Sequence, residues 1–142
     1  MTRRWAGQTA FAAVVLLSLV VLFSPGSDVP SDVPISDKVI HFSLFAALAV
    51  TGRLAGIPAL PLAVGLAAYA GVSEVLQTVL PINRDGDVRD GIADTLGSLV
   101  GIGVVALALR RTSAGRSARP EDDQLEVRSS ALPRGAWPPD AS

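Results

Sequence analysis

His41, the lone histidine of this 142-residue chain, keeps company with Asp37, Glu74, Gln77, Arg84, Asp90 and Asp94, all set within or beside long apolar stretches. An ionised carboxylate at membrane depth costs roughly 2.5–3.5 kcal/mol on insertion scales, so such groups persist where they are paired, hydrated or used. These side chains can do several things together. They can close into a satisfied hydrogen-bond network, or accept from the hydroxyls and amines of a polar ligand while Arg84 meets a phosphate or carboxylate. They can also work as an acid–base pair built from Glu74 and Asp94 beside Arg84, or as a hard-metal set of one imidazole and several carboxylates.

Absences rank these chemistries. Ser73 and Thr95 lie in no G-x-S-x-G or triad context, so no nucleophile accompanies the carboxylates. There is no HExxH, no second histidine and no cysteine, which leaves a zinc site of ordinary composition without its ligands and rules out disulfides. No cofactor is expected and no metal ligand is assigned, and whether a metal binds is left open. Catalysis ranks below binding and architecture, and no catalytic residue is assigned; an enzyme would draw on His41, Glu74 and Asp94. A proton-coupled transporter ranks lower still, since four helices leave little room for alternating access.

The elements that must position these groups are membrane helices. Hydrophobic residues make up 49% of the chain and come in blocks rather than in a scattered amphipathic pattern. A spanning helix needs about 20 mainly apolar residues, and four segments meet or approach that, at about 5–23, 35–54, 57–80 and 88–109. The fold class is all-α, an integral membrane bundle of four transmembrane helices. The first segment follows Arg3 and Arg4 and resembles a signal peptide, but its long run and the poor cleavage site at Ser24-Pro25-Gly26-Ser27 favour an uncleaved anchor. Ser-Asp-Val-Pro, written twice over residues 27–34, reads as an extended spacer. Residues 112–142, rich in Ser, Pro and charge, cannot build a core and read as a disordered tail. Glu121, Asp122, Asp123 and Glu126 neutralise its arginines, so no nucleic-acid partner is expected.

Arginine placement sets the orientation. Arg3 and Arg4, Arg53, and the group Arg110, Arg111, Arg116 and Arg119 fall on one side, which the positive-inside rule makes cytoplasmic, with both termini there. The protein is then a multi-pass protein of the cell membrane, with lipids as its first partners. Asp37 and His41 enter from outside, Glu74 and Gln77 leave toward outside, and Asp90 and Asp94 re-enter. At 1.5 Å per residue Glu74 lies roughly 10 Å below Pro81 and His41 roughly 6 Å below Asp37, so the polar groups share the outer leaflet.

Helical phase brings them to common faces. Asp90, Asp94, Gly97 and Gly101 fall at i, i+4, i+7 and i+11, and Gly97 to Gly101 is a GxxxG pair suited to close packing. Asp37, His41, Leu44 and Leu48 make a second stripe. Ala63, Ala67, Ala70 and Gly71 share a face with Glu74, which predicts a tight base of small residues beneath an open polar mouth.

Three pieces then stand in order: Asp37-Lys38-Val39-Ile40-His41-Phe42; Ser73-Glu74-Val75-Leu76-Gln77; and Arg84 followed by Asp90-Gly91-Ile92-Ala93-Asp94-Thr95-Leu96-Gly97 and Gly101. As an ordered set over about residues 35–105 they resemble the VanZ-like membrane proteins, in which D-K-x-x-H-F, E-x-x-Q, an arginine after a turn and D-x-x-x-[ND]-T-x-G recur. The departures are Asp94 where asparagine is also usual and an unusually acidic turn between Arg84 and Asp90. The resemblance makes residues 1–111 a VanZ-like domain and implies a role in the cell envelope. The family's name comes from a protein associated with resistance to teicoplanin, a lipid-tailed glycopeptide antibiotic. The expected function is an outward polar pocket for an amphiphile, such as a lipoglycopeptide or a lipid-linked envelope intermediate. Its residues would be Asp37, His41, Glu74, Gln77, Arg84, Asp90 and Asp94, with Gly97 and Gly101 for packing. Two alternatives stand beside it: a hydrolase or transferase acting on a lipid head group, and a purely structural network. Oligomeric state is left open.

Overall fold

In the computed structural model the described residues are 2–25, 37–82 and 86–117, and they form four α-helices: α1 (Thr2–Phe23), α2 (Asp37–Leu54), α3 (Ala59–Val79) and α4 (Val88–Ser117). Residues Met1–Leu107 make one compact unit, and a second unit begins at Ala108. The reading of 112–142 as a disordered tail needs correction at its start, because α4 continues to Ser117. Ala108, Arg110, Arg111 and Ala114 are good helix formers, and the Thr112 and Ser113 hydroxyls donate back to helix carbonyls instead of breaking the turn. The remainder of that tail, and the Ser-Asp-Val-Pro spacer, lie outside the described residues.

Proline and glycine punctuate the chain. Pro58, extended at φ −61° and ψ 151°, precedes α3 where a missing amide proton is harmless, and Leu80 turns extended immediately before Pro81. Between α2 and α3 the chain closes a Schellman turn: the Ile57 amide donates to the Gly52 carbonyl and the Gly56 amide to Arg53, with Gly56 at φ 94°. Arg53 then donates from Nη1 to the Ile57 carbonyl at 2.7 Å.

Three helices are long and apolar enough to cross a membrane: Arg4–Phe23, Ala59–Val79 and Val88–Ala114. Only 17%, 22% and 28% of their apolar windows is buried within the protein, so Leu16, Val20, Val64, Val75, Leu99 and Val104 face outward, an arrangement that suits lipid and not water. The expectation of four such spans is met by three. The fourth candidate, α2, carries Asp37, Lys38 and Arg53 within its 18 residues. It packs against α1, α3 and α4, and buries His41, Leu44, Phe45, Leu48, Ala49 and Gly52.

Around α2 the core gathers Leu22 from α1 and Leu62, Leu66 and Ala70 from α3. Tyr69 stacks on Phe45 with ring centroids 5.5 Å apart, and its hydroxyl meets Ser18 Oγ at 3.0 Å, which gives this half-buried phenol its partner on α1. On the other side α4 lies against α2 along Gly97 and Gly101. A Cβ on Gly97 would strike the Phe42 carbonyl, and one on Gly101 would stand 2.5 Å from the Ala46 oxygen. Lipid gives no hydrophobic reward for helix association, so such backbone approach supplies the van der Waals contact that holds the pair. The expected stripe of Asp90, Asp94, Gly97 and Gly101 is the buried face of α4.

Helix α3 is phased differently from expectation. Its buried face is Leu62, Leu66, Ala70, Ser73 and Gln77, while Ala67 and Gly71 are exposed. Of the small residues predicted to form a tight base, Ala67, Ala70 and Gly71 instead line an open groove between α3 and α4 with a volume of about 540 Å³.

Candidate functional site

The α2–α4 seam fixes the centre of the site. With Gly97 holding the backbones together, His41 and Asp94 meet as a pair, Nδ1 to Oδ1 at 3.1 Å, with side chains only 2% and 0% exposed. Asp37, one turn before His41, is exposed and stands 3.9 Å from Nε2. Glu74 approaches from α3: its Oε2 accepts the Asp87 amide at 2.8 Å, and its Cγ would lie 3.6 Å from a Cβ on Gly91. One ligand atom each from His41, Glu74 and Asp94 falls within a mutual 4.8 Å, and Asp37, His41 and Asp90 make a second such group.

Sequence reasoning quoted Lys38 only as part of a motif and gave it no role, yet its ammonium is the outer clasp. It donates to Asp87 Oδ2 at 3.0 Å and to Asp90 Oδ1 at 2.9 Å, tying α2 to the start of α4. Asp87 caps that helix, since its Oδ1 accepts the Arg89 amide at 2.9 Å. The acidic turn, an oddity beside the VanZ-like pattern, is thus a helix cap with a lysine partner. The signal was available in an aspartate directly before the first helical residue.

Other expected members fall elsewhere. Gln77 is buried and donates to the Leu22 carbonyl at 2.9 Å, where it satisfies one of the orphan acceptors at the end of α1. Arg84 lies outside the described residues. The hydroxyls near the cluster donate to backbone within their own helices: Ser73 to Ala70, Thr95 to Gly91 and Ser98 to Asp94.

Two oxygens at the centre have no partner among the described residues. They are Glu74 Oε1 and Asp94 Oδ2, both buried. Each is costly where it stands, because an unpaired buried acceptor carries its full desolvation cost, and two such oxygens in one cluster mark the centre as a place for a donor or a cation. Glu74 also borders the α3–α4 groove, whose other walls are chiefly Ala67, Gly71, Val75, Ile92 and Leu96. The arrangement can therefore present a carboxylate acceptor at the edge of an apolar cleft, backed by a buried His–Asp pair.

The Asp87 carboxyl is held below the usual carboxylate range, first by the Arg89 amide and then by the Lys38 ammonium. A carboxyl lowered by folding contributes stability that is present above its unfolded pKa and lost as pH falls through the folded value. Lys38→Gln should accordingly lower the melting temperature in detergent at neutral pH, and the gap from the unmodified protein should close both in acid and in high salt. The lysine and Asp87 side chains are 43% and 42% exposed, so the effect is modest and screened. A gap that persists unchanged at acid pH would show that Lys38 acts through packing instead.

Comparison of the chain with models of known protein families, with curated proteins and with solved structures finds no match.

Proposed function

We propose that this protein is a VanZ-like membrane protein of the cell envelope whose α3–α4 groove recognises an amphiphile. The observation that carries this reading is the coincidence of an apolar groove of about 540 Å³ with the unpartnered carboxylate oxygen of Glu74 at its edge. An acyl or other hydrocarbon tail would lie along Ala67, Gly71, Val75, Ile92 and Leu96, continuous with lipid. The head group would offer hydroxyl or amine donors to Glu74 and, behind it, to Asp94, and Arg84 would pair with a phosphate or carboxylate. Lipoglycopeptides and lipid-linked envelope intermediates both have this divided chemistry. The motif resemblance and the placement of arginines support an outward-facing site, with both termini in the cytoplasm.

The enzymatic alternative, a hydrolase or transferase on a lipid head group, has less support. His41 and Asp94 make a buried acid–base pair, but each hydroxyl beside them is engaged with its own helix backbone.

Deletion and overexpression in the host, followed by susceptibility measurements with teicoplanin and with vancomycin, test the proposal. A shift confined to the lipidated drug is expected, lost on Glu74→Ala and on Arg84→Ala at normal protein levels. Equal responses to the two drugs would overturn amphiphile recognition. In the same strains Asp28→Cys or Asp85→Cys should react with an impermeant thiol reagent in intact cells; reaction only after permeabilisation would reverse the orientation.

A further inference from the structure

We infer that His41, Glu74 and Asp94 form a binding site for a first-row divalent cation of the manganese-to-zinc class. The inference does not depend on the amphiphile reading, since the ion can be measured with no lipid ligand present.

Three observations lead to it. One ligand atom from each residue lies within 4.8 Å of the others, drawn from three different helices. Ligands held about 2.1 Å from an ion stand roughly 3–4 Å apart, so a small rotation of Glu74, the least buried of the three, would close the set. On binding, His41 Nδ1 would release its proton and exchange its hydrogen bond to Asp94 Oδ1 for the ion, and the 3.1 Å between the two atoms already suits adjacent ligands.

Secondly, Asp94 is fully buried, and its Oδ2 has no partner among the described residues, nor has the buried Oε1 of Glu74. Each carboxylate spends one oxygen on the protein, to His41 and to the Asp87 amide respectively, and keeps the other unused.

Thirdly, the charges do not balance. Lys38 is committed to Asp87 and Asp90 at the outer end, so among the described residues only His41 is paired with the inner carboxylates. Asp94 lies six residues into α4, about 9 Å along the helix. At that depth two carboxylates facing a single imidazole are expensive, and a divalent ion would neutralise them. The outer group of Asp37, His41 and Asp90 carries a smaller cost, because Asp90 already holds a lysine and Asp37 is exposed to solvent. One nitrogen with two carboxylate oxygens suits manganese, iron or zinc better than the all-oxygen preference of calcium or magnesium. Glu74 borders the groove, so an ion there would have coordination positions open toward whatever the groove admits.

The test uses the full chain, purified in detergent, stripped with chelator and titrated with Mn²⁺ and with Zn²⁺ by calorimetry, with the Mn²⁺ paramagnetic signal as a second readout. One ion per chain is expected, together with a rise in melting temperature on addition of metal. Loss of a direct ligand should weaken binding by more than about 100-fold, since changes to groups that merely support ligands already cost 10–100-fold. Glu74→Gln and Asp94→Asn should both show this loss, and Asp37→Asn should not. Glu74→Gln keeps the inference testable if the Asp94 variant fails to fold. Absence of binding to the unmodified protein would overturn it, as would loss on Asp37→Asn with retention on Glu74→Gln. Binding that appears only in Arg84→Ala would also overturn it, by showing that Arg84 already supplies the missing charge.

Discussion

Gly97→Ala should lower the melting temperature of the detergent-solubilised protein sharply, while Gly103→Ala, farther along the same helix, should leave it equal or raise it. The contrast isolates the α2–α4 seam. A methyl group on Gly97 meets the carbonyl oxygen, carbonyl carbon and Cα of Phe42, all backbone atoms that no rotamer change can move aside. The helices must separate, and overpacking of this kind costs about 1–3 kcal/mol. Gly103 has nothing within 4 Å of the position its Cβ would take, so alanine there adds only its helix propensity, up to about 1 kcal/mol in favour. Gly101→Ala should resemble Gly97→Ala, because its methyl would meet the Ala46 oxygen at 2.5 Å and the Ala49 methyl at 2.8 Å. Separation at this seam also moves His41 away from Asp94, so metal binding and drug response should fall with stability in the two seam variants. Equal melting temperatures for Gly97→Ala and Gly103→Ala would mean that the two helices do not meet where the structure brings them together.

The seam was readable because its residues are discriminating. Asp90, Asp94, Gly97 and Gly101 repeat with helical phase, and a carboxylate or a GxxxG pair in a membrane helix has a strong reason to face protein. On α3 the same reasoning failed. Ala63, Ala67, Ala70 and Gly71 were expected inside, yet Ala67 and Gly71 line the groove while Ser73 and Gln77 turn inward. Small apolar residues are nearly indifferent between lipid and protein, so their periodicity carries little information there, and the informative marks were the hydroxyl and the amide. Lys38 was given no role for a related reason: a long aliphatic stem lets its ammonium reach Asp87 and Asp90 from a helix-entry position that sequence assigns to the interface. Helix α2 has the length of a span but is too charged to be one by composition alone. Only tertiary packing shows that Leu44, Phe45, Leu48 and Ala49 are covered by neighbouring helices.

The two inner carboxylates should part company when each is changed. Asp94→Ala is expected to destabilise the protein by roughly 3–5 kcal/mol, the range found when one member of a fully buried pair is removed and the other is left without compensation. His41 and Asp94 meet that condition, at 2% and 0% exposure, and His41 Nδ1 would lose its partner at 3.1 Å. Asp94→Asn should cost less, because the amide oxygen can still accept from the ring. A double-mutant cycle with His41→Ala should recover much of the loss, since removing both partners leaves neither member of the pair buried without the other. Glu74→Gln should behave in the opposite sense. Its Oε2 bond to the Asp87 amide survives in the amide oxygen, and the buried, unpartnered charge at Oε1 is removed. Stability should therefore stay equal or rise while drug response and metal binding are lost, the exchange expected of a residue kept for function at a cost in stability. Melting curves of the five variants, the His41→Ala/Asp94→Ala double mutant among them, in one detergent decide the matter. Equal destabilisation by Glu74→Gln and Asp94→Ala would place both carboxylates in a single structural network and withdraw the ligand and metal readings together.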